Sequence, residues 1–410
     1  MRRTGFLSFL ITVCIACAIA SAPVRAADEA DRWRLGGFGT LGAGYHGSDG
    51  VQYRRDLDQS RGYEADRLGL RTDTRLGVQI DRDFSPDWSV MAQAVSRMSR
   101  EGDWSPELTW AVVRYSASDW LDLRMGRMVA DIYLHGESRH VGYAYTTIRP
   151  PADVFGMSTE DVFDGAELTA SRPLGSGIGS FKVYGGRARG GYYLYGQSFT
   201  KDKPLRLGAT AEWSNETLTV KASWGSSRTH HDPSLLTLRD ALLTASALVP
   251  EAAIRAGQID EETRVTHAGM GVLYERGPLS LEAVIGRERF SAFPVFEGWA
   301  GSLVAAWRIG AFKPYLGYSF NHLKPQDKPL ALPPVLSALQ ASYDRVSDRL
   351  RMESHTVTAG VRYDFGGRYA LKMQVDHVDA AASFLLVDEA GQPVRDRSVT
   401  LFTIALDFVF

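Results

Sequence analysis

Cysteine is nearly missing from this 410-residue chain: Cys14 and Cys17 are the only two. Both fall in an opening segment with Arg2 and Arg3, an apolar run from Phe6 to Ala20, and the stretch Ser21 to Ala26. That order of charge, grease and small residues predicts a cleaved export signal over 1–26, with Val24 and Ala26 at the positions a signal peptidase reads. The run is short for a bilayer span and no basic stop-transfer cluster follows it, which argues against an anchor. A lipoprotein cut before Cys17 would leave the apolar run continuing past the anchor, which argues against that too. The expected mature chain, 27–410, is then free of cysteine. Disulfide scaffolding and thiolate metal sites are excluded, as suits a protein exported through an oxidising compartment.

Long hydrophobic runs are the second absence. No apolar run of 18 residues follows the signal, and mean hydropathy is −0.17, so transmembrane helices are excluded. Strong charge of one sign is the third. Three of the 46 Lys+Arg and none of the 48 Asp+Glu lie in 1–26, leaving 43 basic against 48 acidic residues, a net charge of −5. Such a balance gives no electrostatic case for nucleic acid.

What is present is alternation. From Leu68 to Ile80 the even positions are Leu, Leu, Thr, Thr, Leu, Val and Ile, while the odd positions from Arg67 to Asp81 are charged, glycine or glutamine. The pattern predicts a strand over 67–81, long enough to cross hydrocarbon at a tilt. Leu205, Leu207, Ala209, Ala211 and Trp213 repeat it, and a short turn at Asn215 leads into Leu218, Val220, Ala222 and Trp224. Equivalent segments are expected near 33–46, 88–99, 107–116, 120–128, 164–172, 179–187, 263–275, 278–288, 298–309, 312–322, 354–365, 368–379 and 398–410. The total is about sixteen strands. Connections alternate between tight links, as at Arg276-Gly277 and Gly366-Gly367, and long ones, as at 47–66, 129–163, 227–262 and 323–353. The reading is all-β: a transmembrane antiparallel barrel with short periplasmic turns and long extracellular loops, in the bacterial outer membrane.

The last segment alternates Phe402, Ile404, Leu406, Phe408 and Phe410 with Thr403, Ala405, Asp407 and Val409, and stops on an aromatic. A final amphipathic strand ending in Phe resembles the assembly signal of bacterial outer-membrane proteins, here Phe410. With the signal, the length and the loop asymmetry, the whole mature chain resembles the general porin superfamily.

That resemblance implies a water-filled channel for passive diffusion of small hydrophilic solutes or ions, a homotrimer, and contact with membrane lipid and lipopolysaccharide. It implies no catalytic residue, cofactor, metal or nucleic acid. It also implies that the third loop, 129–163, folds into the lumen as a constriction. Its candidates are Asp131, Glu137, Arg139, His140, Arg149, Asp153, Glu160 and Asp161. Opposite such a loop the resemblance implies a basic wall. Arg67, Arg71 and Arg75 share one face of the expected strand, roughly 13 Å apart per four-residue step, and Arg97, Arg114, Arg124, Lys182, Arg206 and Lys221 share the polar parity of neighbouring strands. Those cations would either draw anions into the lumen or pair with Asp73, Asp122, Glu167 and Glu212 of the same parity.

Two long loops have helical periodicity, at Leu235 to Ala245 and Leu336 to Leu350. Enzyme signals are thin. Gly39, Gly42 and Gly44 lie in a strand, not at a strand-to-helix turn, and His230-His231-Asp232 sits in a loop without metal-ligand spacing. The alternatives left open are a loop-plugged substrate-specific barrel, an adhesin and an outer-membrane barrel enzyme. A plug domain is not expected, since about ten residues separate the expected mature start from the first strand.

Overall fold

The computed structural model describes residues 33–410 except 157–161, 201–203, 231–232, 261, 292, 327–328 and 349. Sixteen antiparallel strands close into one barrel. They are β1 Arg34–Tyr45, β2 Arg75–Asp83, β3 Trp88–Arg97, β4 Glu107–Ser118, β5 Leu121–Val129, β6 Val162–Leu174, β7 Gly177–Arg189 and β8 Leu205–Ser214, followed by β9 Leu218–His230, β10 Glu262–Arg276, β11 Leu279–Phe290, β12 Phe296–Trp307, β13 Phe312–Pro325, β14 Met352–Phe365, β15 Tyr369–Val387 and β16 Pro393–Val409. Each pairs with its sequence neighbours, and β1 pairs with β16 to close the ring. Closure leaves no strand edge unpaired in a solvent that cannot hydrogen-bond it.

Alternation decides the two faces. Large apolar side chains stand exposed on the outside, among them Leu316 at 67%, Leu303 at 52% and Met270 at 50%. A soluble protein would not leave so broad a belt bare. At the turn end the belt closes with aromatic rings, Trp33, Phe84, Trp88, Trp120, Trp307, Phe312 and Tyr369, all exposed. Trp88 packs against Tyr115 with ring centroids 4.6 Å apart, and Phe312 against Tyr363 at 4.7 Å, both pairs tilted. Such amphipathic rings belong at the headgroup level of a barrel.

Turns and loops segregate to opposite ends. The link between β10 and β11 is Gly277-Pro278, with Gly277 at φ +58°, and that between β14 and β15 holds Gly366 and Gly367 at +61° and +69°. Turns this tight need left-handed backbone, which glycine adopts without steric cost. The long connections, at the other end, are L1 (46–74), L2 (98–106), L3 (130–161), L4 (190–204), L5 (231–261), L6 (291–295), L7 (326–351) and L8 (388–392).

The expected strand 67–81 is corrected: β2 begins only at Arg75. Leu68 and Leu70 do face outward, at 69% and 46% exposure, so the alternation is real. The ladder fails because side chains take over its role. The Gly42 backbone N–H donates to Thr74 Oγ1 at 3.0 Å, and Tyr63 Oη donates to the Asp73 carboxylate at 2.8 Å. The last two strands run longer above the barrel than expected, and L1 uses that extension: its two-residue strand Gln52–Tyr53 pairs with Leu386 and Val387 of β15. L1 thereby folds over the mouth, where Val51, Tyr53 and Tyr63 pack on the inward Val378, Ala380, Val399 and Leu401.

The two periodic loop segments are helical, as α2 Pro233–Ala245 in L5 and α4 Ser337–Ser347 in L7, and two short helices were not expected, α1 Ala152–Phe155 in L3 and α3 Glu251–Ala256 in L5. Leu235, Leu238 and Leu242 of α2 meet Ala252 and Ala256 of α3 and Tyr343 of α4 in one buried cluster.

The seam is where the ring closes. Phe410 exchanges two backbone hydrogen bonds with Gly37, at 2.9 and 3.0 Å, the Phe408 ring lies on Gly39, and Leu76 of β2 completes the contact. A Cβ on Gly39 would come within 2.3 Å of that ring. Gly39→Val is therefore expected to block closure. Heat-modifiable migration of the refolded variant on a denaturing gel checks this, and the compact band should be lost.

Candidate constriction site

L3 crosses the lumen and is held on both sides by charge. Its entry follows β5, whose inward Arg124 donates to Glu167 of β6 at 2.5–2.8 Å and to Glu137 of L3 at 2.6 Å. Lys182 of β7 reaches Asp131 at 2.8 Å and Glu137 at 2.9 Å, and Lys221 of β9 binds Asp131 from the other side. Burial pushes the Glu137 carboxyl up, but Lys182 and Arg124 outweigh it and hold the group at about 2.

The opposite anchor is Arg149, placed just before Pro150 and Pro151. Its guanidinium lies between Asp73, at the end of L1, and Asp376 of β15, 2.9 Å away, and also donates to Thr403 Oγ1 at 3.1 Å. Burial alone would lower the Arg149 pKa; the two carboxylates raise it well above its ordinary value. All three side chains are essentially water-free, at 4% exposure or less. Three further wall cations hold the loop by its backbone. Arg75 donates to the His140 carbonyl at 2.7 Å, Lys372 of β15 to the carbonyls of Gly142 and Thr147 at 2.8 and 2.9 Å, and Arg362 of β14 to those of Tyr143 and Tyr145 at 2.8 and 2.5 Å. Lys372 also pairs with Asp407 of β16 at 2.8 Å.

Between the anchors the loop packs. Ile132, Tyr133, Val154 and Phe155 sit with the inward Trp110, Val112, Phe163, Tyr184 and Val284. Asp153 accepts from Ser319 and Ser354, both at 2.6 Å. Arg139 reaches the Phe155 carbonyl at 3.5 Å. Glu160 and Asp161 lie outside the described residues.

The expected basic wall is only partly assembled. Arg67 is corrected: it faces solvent, paired with Glu64 at 3.1 Å. Arg71 is corrected as well, being exposed on the irregular stretch before β2. Both leave the lumen because the strand that would have carried them starts later. Arg97 lies inward but is taken by Asp58 and Asp56 of L1. Arg114 pairs with Asp122 at 2.8 Å near the turn end, and Arg206 is buried on β8. Lumenal cations pair with loop and wall acids, so the ladder is a set of fasteners. Lys372, Arg362 and Asp376 were missed, although Lys372 and Asp376 alternate with Leu371, Met373 and Val375 on an expected strand and parity alone places them inward.

A polar cavity of about 370 Å³ lies on the turn side of L3, bounded by Asp131, Glu137, Lys182, Glu212 and Lys221 with the hydroxyls of Thr169, Ser171, Ser180 and Thr210. Thr210 Oγ1 in that lining, and Ser223 Oγ, Ser227 Oγ and His267 Nε2 above it on the same wall, are buried with no partner among the described residues. A hydroxyl and imidazole arrangement elsewhere, on the outer rim, has Ser398 Oγ 3.4 Å from His377 Nε2. The other ring nitrogen meets Thr400 Oγ1 at 2.9 Å, where a catalytic triad would require a carboxylate.

No protein-family model and no curated protein matches the sequence. Solved structures match along nearly the whole chain. The outer membrane channel DcaP of Acinetobacter baumannii superposes with a TM-score of 0.57 at 11% identity, covering 95% of this chain and 100% of that one. The anion-selective porin from Comamonas acidovorans gives 0.54 at 14%, covering 93% and 100%. OmpT, an outer membrane protein of Vibrio cholerae, gives 0.55 at 11%, covering 95% and 100%. The fold is that of the bacterial outer-membrane porin barrels.

Removing Arg149 would strand two buried carboxylates. Arg149→Ala is expected to cost about 3–5 kcal/mol, the scale for breaking a buried pair, and to make L3 cleavable by protease, both read on the refolded barrel. The Glu137 anchor predicts an acid limit. A released carboxyl titrates near 4.5 and the anchored one near 2, so the ion pair contributes fully above pH 4.5 and is lost as pH falls through about 2. Protease protection of L3 should therefore persist at pH 4 and fail toward pH 2.

Proposed function

We propose that this outer-membrane barrel is a channel for passive diffusion of small hydrophilic solutes, with selectivity set beside L3. The observation that carries this reading is the folded-in loop, whose carboxylates pair with wall lysines at the margin of a polar cavity while the rest of it is fastened to the wall. Channels select by width and by the charges that line the narrow point.

The cavity margin carries Asp131, Glu137 and Glu212 against Lys182 and Lys221. One carboxylate is in excess, so the lining favours cations slightly and the anion preference of a free basic wall is not expected. A homotrimer fits this reading, since the apolar outer belt can face either lipid or a second copy.

A loop-plugged barrel is the second reading, favoured by the mouth. Leu57 and Leu194 pack there with Phe296, Leu323, Met352 and Phe384 above the lumen, and the buried Arg54 ties L1 to the carbonyls of Gln59, Tyr193 and Phe384.

Single-channel recording in planar bilayers under a salt gradient tests the proposal. Stepwise conductance with a weak cation-leaning reversal potential is expected, and Glu212→Gln should move that potential toward anions. Silence of the native barrel, with steps appearing only after residues 51–63 are deleted, would replace the open channel by the plugged one.

A further inference from the structure

A furrow runs across the inner wall beside L3. Ser223 of β9, Gly269 of β10, Gly286 of β11 and Ala300 of β12 stand side by side at one height, each the ladder partner of the next. They share the inward parity of Lys221, His267 and Val284, so four successive strands turn nothing larger than a methyl or a hydroxymethyl group into the lumen there. Glycine inside a strand weakens it, and it marks a place where another part of the molecule comes close.

The occupant is Tyr133 of L3. A Cβ on Gly286 would lie 2.8 Å from both Cε1 and Oη of its ring, and one on Gly269 would lie 3.1 Å from Cε1. The ring meets His267 edge-on at 4.6 Å and Phe155 at 5.1 Å, and the residue is buried. Leu134 takes the next row toward the turns, where a Cβ on Gly271 would come within 2.4 Å of its Cγ. Two consecutive side chains of an extended chain point to opposite sides, yet these two enter the same wall. Tyr133 meets that demand with φ +63°, left-handed backbone that a bulky residue rarely adopts. Such strain persists only where the surroundings over-determine it. None of the ion pairs or carbonyl contacts that fasten L3 involves Tyr133 or Leu134, so the furrow is a separate constraint on the loop.

We propose that the furrow is a depth stop for L3: the Tyr133 ring standing in it sets how far the loop lies from the β9 to β12 wall, and with that the width of the polar cavity between the loop and β6 to β9. Leu134 joins the two, since it lines the cavity and rests on Gly271. Tyr133 is thus a positioning residue, acting through Asp131 and Glu137 of the same loop segment, which bring charge to the cavity margin. What the stop controls rests on the channel reading; that it holds the loop does not.

Single-channel conductance of the native barrel and three variants, each checked for folding by heat-modifiable migration, tests the proposal. Gly286→Val fills the furrow, pushes the ring and its loop toward the cavity, and is expected to bring conductance down to roughly half the native value. Tyr133→Ala empties the furrow, lets the loop settle on the wall, and is expected to raise conductance by a similar factor. The Gly286→Val/Tyr133→Ala double variant puts volume back on the wall in place of the ring and should return close to native, a recovery that a general loss of packing would not give. Native conductance in either folded single variant, or a double variant no closer to native than the singles, would overturn the proposal. Should Gly286→Val fail to fold, Tyr133→Ala decides alone, raised conductance supporting the stop and unchanged conductance refuting it. If the native barrel is silent, the comparison moves to barrels lacking residues 51–63. Silence there as well defeats the channel reading, and the furrow is then judged by the rate at which protease cuts L3. Faster cleavage in both single variants, slowed again in the double, supports the stop; equal rates in all four barrels overturn it.

Discussion

The lumen of this barrel is organised by buried charge that has to be matched. Placing ionised side chains where water is thin is costly unless each finds an opposite charge or a ring of hydrogen bonds. Arg149 between Asp73 and Asp376 meets that demand on one side of L3, and Asp131 between Lys182 and Lys221 meets it on the other. Everything inside the barrel follows from these two fixed points. The loop between them brings its carbonyls within reach of Arg75, Lys372 and Arg362, and the apolar residues of L3 settle on an apolar section of the inner wall.

The same demand explains why so many lumenal cations are already engaged within the protein. A cation already engaged by a carboxylate or a carbonyl attracts a passing anion weakly, whatever its place along the pore. The cavity bounded by Asp131, Glu137, Lys182, Glu212 and Lys221 lies along β6 to β9, on the side of the barrel away from Arg149.

The barrel itself was legible in the sequence because period-two alternation reports a physical fact, that one face meets lipid and the other does not. Strand number, loop asymmetry and the inward course of L3 followed from it or from the family resemblance. Residues 67–74 show the limit. Their alternation is faithful to which side each residue faces, yet the backbone leaves the ladder because Asp73 and Thr74 offer it other partners, and no pattern of polarity records that choice. The partners of the lumenal cations were not legible either. Parity places Arg97 and Lys182 inward, but which acid each meets depends on loops arriving from far along the chain. Parity did hold information that went unused at Lys372 and Asp376.

The clamp on L3 draws on residues from both ends of the chain: Arg75 from the second strand, Lys372 from the fifteenth, and Asp407, beside Lys372, from the sixteenth. Those strands become neighbours only when the sheet curls round and its first and last members meet. The loop therefore cannot be locked while the sheet is still growing, since half of its lock has not yet come into place. Closing the ring and completing the lock on the third loop are one event, and a barrel that still lacks its last strands lacks Asp376, Lys372 and Arg362 for that loop, like a gate hung on its hinge before the post for its latch is set.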